Sequence, residues 1–158
     1  MRTIDAASTM NVTDGRSRIA AIIELLGRFP QAVVQLLFRL AIASVFLKAG
    51  LNKIASWELT VQLFADEYKV PVFAPELAAR MAATFEIGCS LLLIAGLATR
   101  LATLPLLGMI VTIQLFVYPS AYSEHLTWAS ILIFLLTRGA GPWSLDRLLG
   151  VEPNAARR

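Results

Sequence analysis

The sequence predicts an all-α polytopic membrane protein, a four-transmembrane-helix bundle with an N-terminal amphipathic helix and an extracytoplasmic interfacial helix between spans one and two. Three observations predict it. Apolar residues make up 57% of the 158 positions and charged ones 16%, at a mean hydropathy of +0.67, which is more apolar side chain than a soluble domain of this length can hide. These residues gather in four blocks that approach or span a hydrocarbon core of about 30 Å. Arginines cluster before the first block, between the second and third, and after the last, so the positive-inside bias places both termini in the cytoplasm.

Residues 1–15 are polar, lack an apolar run and read as a disordered tail. Over residues 16–30, Ile19, Ile22, Ile23, Leu26 and Phe29 recur at helical spacing among Arg16, Arg18, Glu24 and Arg28, the pattern of a basic amphipathic helix on an anionic membrane face. Residues 31–150 form the transmembrane domain and residues 151–158 a C-terminal tail. The first span covers residues 35–54. Behind it, Trp57, Val61, Phe64 and Tyr68 recur at i, i+4, i+7 and i+11, which predicts a helix half-sunk at the interface and capping the bundle. Pro71 and Pro75 end it, and Pro75-Glu76 opens the second span, residues 77–97. The third span covers residues 101–118. The fourth apolar run, residues 126–137, rises only about 18 Å as a helix and must begin near Ser120 to cross. Gly139 and Gly141-Pro142 stop it, and Ser144 caps a short helix whose Leu145, Leu148 and Leu149 are expected to pack on the bundle rim.

A single cysteine, Cys89, and a single histidine, His125, exclude an internal disulfide, a dithiol, an iron–sulfur cluster and a zinc finger built from one chain. No intrinsic cofactor and no metal site are expected. The net charge of +3 lies in tails and loops without aromatic interleaving, so the partner it suits is the lipid bilayer and not nucleic acid.

A charge at bilayer depth costs a few kcal/mol, so the intramembrane polar residues are the candidate site. Glu86 lies mid-span and leads the set. Lys48 sits at comparable depth and is the natural partner, with Lys53, which lies higher, as the alternative. Arg39, Ala43, Phe46, Gly50 and Lys53 make a second stripe on the first span; either this stripe or Lys48 snorkels outward. Glu86, Lys48 and His125 are the catalytic candidates, and Arg39, Lys53, Asn52, Gln114 and Trp128 the pocket candidates. Together they are expected to line a polar pocket open toward the outer face. Trp57, Trp128, Trp143 and Tyr118 also suit an interfacial aromatic belt.

Arg39 followed by Gly50-Leu51-Asn52-Lys53, then Glu86 followed by Gly96-Leu97-Ala98-Thr99-Arg100, then Gly139 to Asp146 in the pattern Gly-x-Gly-Pro-x-Ser-Leu-Asp, resemble the DoxX family in order and spacing. The resemblance runs over about residues 35–149. It implies a small four-helix protein of the bacterial inner membrane and a membrane subunit of a redox or stress-related system. It also implies quinone as the candidate ligand, a protein partner from a redox or metal-handling system, and a homo-oligomer as one arrangement. The oxidoreductase label that such proteins carry has no cofactor motif behind it in this chain. A non-enzymatic binding or transport module for a small solute or a metal-associated peptide is the alternative.

Overall fold

Helix-forming apolar runs punctuated by proline and glycine leave the chain few options, and every regular element among the described residues is helical. The computed structural model describes residues 19–69 and 73–151, so the expected tails, Pro71 and the first turn of the N-terminal helix lie outside it. Helix α1 occupies residues 19–27 and stands clear of the bundle, each of its side chains exposed. Helix α2, Gln31–Ala55, begins directly after Pro30, whose fixed φ and missing donor suit a helix entry.

Helix α3, Trp57–Leu63, passes into a π-helical turn, Phe64–Tyr68. Its apolar stripe packs on the bundle. Phe64 is buried against Ala78 and Ala79, with Trp57, Val61 and Tyr68 beside it, because the alanine face at the start of helix α4 leaves room for large side chains. Helix α4, Pro75–Ala95, starts with proline at N1 and Glu76 in its first turn. Helix α5, Thr99–Thr112, contains Pro105 and ends in a second π-helical turn, Ile113–Val117. Helix α6, Tyr122–Arg138, begins two residues later than the expected Ser120, and helix α7, Leu145–Leu148, is capped by Ser144, whose Oγ accepts from the Arg147 N–H at 3.2 Å.

Gln31–Ala55, Pro75–Ala95 and Thr99–Val117 are long and apolar enough to cross a membrane. Helix α6 has 17 residues, a rise of about 25 Å. Helix α2 packs chiefly on α4 and α5 on α6, around a core of Ile42, Phe46, Leu93, Leu106, Leu132 and Leu135, each no more than 2% exposed.

One end of the bundle is tied by a single guanidinium. Arg39, 1% exposed, donates to the carbonyls of Leu93 (2.8 Å) and Ile94 (2.8 Å) at the end of α4, and to those of Ala140 (3.0 Å) and Trp143 (2.7 Å) after α6. A helix C-terminus leaves its last carbonyls without intrahelical donors, and the arginine fork supplies five N–H groups in a fixed plane. Arg39 is therefore neither a snorkelling anchor nor a pocket residue. Gln35, one turn earlier, donates to the carbonyls of Arg138 (3.3 Å) and Gly139 (3.5 Å). Asp146 completes the end by accepting from the N–H groups of Ala98 (2.7 Å) and Thr99 (3.0 Å), the unpaired donors that open α5. Gly96 sits at φ +67°, and a Cβ there would lie 2.7 Å from the Arg39 guanidinium carbon. Leu145, Leu148 and Leu149 do not pack on this rim; they are 40%, 80% and 65% exposed, since a helix of one turn presents too short a face.

Arg39→Lys should lower stability by about 3 kcal/mol, because one ammonium cannot reach four carbonyls on two separate segments and leaves buried acceptors unpaired. Denaturant titration in detergent micelles measures it. Wild-type stability in the variant would show that the carbonyl ring does not hold this end together.

Candidate functional site

At the other end the helices part. A cavity of about 740 Å³ opens among α2, α4, α5 and α6, roofed by Phe64 and Tyr68. Its wall is apolar over most of its area, supplied by Phe46, Met81, Phe85, Met109 and Trp128 among others; Thr112, Glu124 and the phenols of Tyr68 and Tyr118 also line it, and two further polar places hold buried side chains.

The first polar place is an ion pair. Lys53 Nζ donates to Glu86 Oε1 at 2.7 Å; the Glu86 side chain is 2% exposed and that of Lys53 21%. The second carboxylate oxygen, Oε2, is buried without a hydrogen-bond partner among the described residues. Gly50 explains how the pair forms. A Cβ on Gly50 would stand 3.0 Å from the Glu86 Cβ and 2.7 Å from Ile87, so α2 and α4 meet where only a glycine fits. Lys53 is three residues after Gly50 and shares its face, whereas Lys48 is two residues before it and faces away, where it is exposed. The sequence-based choice of Lys48 as the partner is therefore corrected to Lys53, and Lys48 has no place in the cavity wall. Asn52 is exposed as well.

The second polar place is His125, 4% exposed on the first turns of α6. Its Nδ1 lies 2.7 Å from Gln114 Oε1, and the Gln114 amide donates from Nε2 to the Pro119 carbonyl at 2.8 Å. That second bond fixes the amide with its oxygen toward the ring, so Nδ1 carries the hydrogen that Gln114 accepts. The His125 ring lies 5.5 Å from that of Trp128, which meets Phe46 edge-on at 6.0 Å. Of the sequence candidates the structure thus brings Lys53, Glu86, His125 and Trp128 to one cavity, with Gln114 behind His125.

A residue match to a known family completes the picture: a model described as DoxX matches residues 34–119. The chain belongs to the DoxX family. The DoxX match takes in Arg39, Gly50, Lys53 and Glu86, and ends before His125, Trp128 and Asp146. Comparison with curated proteins gives no match, and comparison with solved structures gives none. With three helices of membrane-crossing length and composition, this DoxX protein is lipid-embedded.

Sequence reasoning missed the mouth of the cavity. The rings of Tyr68 and Tyr118 meet edge-on at 6.1 Å, joining the two π-helical turns. Burial pushes the Tyr68 phenol above its usual range, and the Tyr118 hydroxyl and the carboxylates of Glu67 and Glu86 push the same way, so the phenol stays neutral. The aromatic stripe that carries Tyr68 was visible, but its partner lies 50 residues away and had no local signal.

Lys53→Met should cost about 3–5 kcal/mol by stranding the Glu86 carboxylate, and Lys53→Met with Glu86→Gln should recover most of that loss. Lys48→Met should stay within about 0.5 kcal/mol of wild type. A double-mutant cycle read by thermal unfolding in nanodiscs measures all three. Additive losses for Lys53 and Glu86 would mean that the pair does not form in the folded protein.

Proposed function

We infer that this DoxX protein is the membrane subunit of a bacterial redox or stress-related system, in which the cavity binds a quinone or quinol and the Lys53–Glu86 pair relays its protons. In this reading α6 is a fourth span, the termini are cytoplasmic and the membrane is the inner one. The short α6 reaches across with the help of Arg138 and Trp143 at its end, where long amphipathic side chains extend the span.

The observation that carries the reading is the buried, unpartnered Oε2 of Glu86 beside Lys53, on the wall of an otherwise apolar cavity. A polar atom in that position costs free energy unless a ligand completes it. The volume lies within the range of about 300–1,000 Å³ typical of small-molecule sites. A quinone has an apolar ring with oxygen atoms at opposite edges, and when bound it supplies two-electron chemistry coupled to protons. Lys53 can donate to one such oxygen while Glu86 Oε2 accepts from, or returns a proton to, the same place. The Nε2 atom of His125 offers an acceptor on the α6 wall, held in its tautomer by Gln114. Electrons then come from a protein partner of a redox or metal-handling system, because one cysteine and one histidine give this chain no electron carrier of its own.

The test is titration of the purified protein in nanodiscs with decyl-benzoquinone, followed by tryptophan fluorescence. Wild type and Lys48→Met should bind alike, and Lys53→Met and His125→Phe should each weaken binding at least about tenfold, equivalent to about 1.4 kcal/mol. A flat titration of the wild type would sink the quinone reading and leave a non-enzymatic module for a small solute or a metal-associated peptide.

A further inference from the structure

We propose that the ligand reaches the cavity sideways from the lipid phase, through a window between α4 and α5 framed by Phe85 and Gly108. The proposal rests on the reading of the cavity as a small-molecule site and adds the ligand's chemical class, a lipid-soluble molecule whose tail can stay in the bilayer while its polar head lies inside.

The rim of an opening consists of residues that line the cavity and face outward at once. Phe85 lines the cavity and is 38% exposed. Gly108 lines it too, is exposed, and has nothing within 4 Å of the place a Cβ would take. The two stand at one level. Phe85 is ten residues before Ala95, where α4 ends, and Gly108 is nine after Thr99, where α5 begins, which puts them about 15 and 14 Å from the shared turn. That is mid-helix on both sides, the depth of acyl chains and not of headgroups. Glu86 follows Phe85 directly, so the window opens at the height of the ion pair.

The α5 side of the window is also the less regular one. Pro105, three residues before Gly108 and on the cavity wall, has no N–H to return to the helix, and its ring crowds the preceding turn. Met81 and Met109 line the same region with unbranched, adaptable side chains. A flat or flexible apolar molecule can pass such a frame. A hydrated ion or a peptide would have to shed its water in the acyl-chain region to do so.

The window is tested without any quinone. A variant with Trp57→Phe and Trp143→Phe keeps Trp128, on the cavity wall, as its sole tryptophan. In vesicles of phosphatidylcholine brominated at mid-chain, Trp128 should be quenched relative to unbrominated vesicles, because acyl chains enter the opening. Gly108→Phe should cut that quenching at least about threefold by closing the frame. Gly88→Phe should leave it unchanged, since Gly88 is also exposed with open space around its Cβ position but lies outside this cavity wall. If Gly108→Phe does not fold by circular dichroism, Gly108→Leu takes its place. Equal quenching with and without the bulky residue at 108 overturns the window, whatever the cavity binds. With decyl-benzoquinone as the second probe, Gly108→Phe should slow association about tenfold and leave that of a tail-less benzoquinone unchanged; equal slowing of both overturns lateral entry. Failure of both quinones to bind the wild type would sink the quinone reading alone, with the brominated-lipid result still deciding the window.

Discussion

The arrangement depends on one guanidinium in a ring of backbone carbonyls. In a lipid-embedded bundle no bulk water reaches the last carbonyls of a helix, so each needs a donor from within the protein. Arg39 serves the end of α4 and the segment that follows α6 together, from the side of α2, and so ties three parts of the bundle at one level. Asp146 adds the fourth by taking the free N–H groups at the start of α5. Arginine meets the negative end of the α4 dipole and aspartate the positive end of the α5 dipole.

With one end fixed in this way, the other can afford to be loose. The large core residues Leu93, Leu106, Leu132 and Leu135 fill the tied half, and above them the helices diverge around a cavity. Both π-helical turns lie at that upper end and touch each other. A π turn bonds i to i+5, as the Lys69 N–H does to Phe64 and the Tyr118 N–H to Ile113, and it is less favourable than the α form. What it gains here is rotation of the residues that follow, which brings the Tyr68 and Tyr118 rings together over the mouth.

Much of this was legible in the sequence because a membrane imposes lengths and boundaries. Pro75 and the Gly139–Pro142 stop appear where composition places them, the turn between α4 and α5 falls at 96–98 and not at the expected Thr99-Arg100, and Glu86 stands out as a carboxylate in an apolar run. The partner lysine was misread because depth alone was used to rank the candidates. The stripe Arg39, Ala43, Phe46, Gly50, Lys53 held the answer. Four of those five residues are buried and the fifth forms the ion pair, so the stripe is the inward face of α2, and Gly50 within it marks the closest approach to α4. The carbonyl role of Arg39 had no such signal, since its acceptors are backbone atoms more than 50 residues away.

The position of Glu86 follows from these constraints taken together. The Glu86 carboxylate stands against α2 at a crossing as close as Gly50 allows, and Lys53 bonds one of its oxygens from the same crossing. The other oxygen has no hydrogen-bond partner among the described residues. A fully satisfied pair would need a second donor on α4, α5 or α6 at that level, where the cavity wall instead presents Phe85, Met109 and Trp128. In the proposed reading the low polarity of those walls matters, because the same environment that penalises an unpaired polar atom strengthens the bond that relieves it. Tight packing at the tied end and the cavity at the other thus belong to one arrangement, in which carbonyl ligation by Arg39 holds the helices at one end and the Lys53–Glu86 pair stands on the cavity wall at the other.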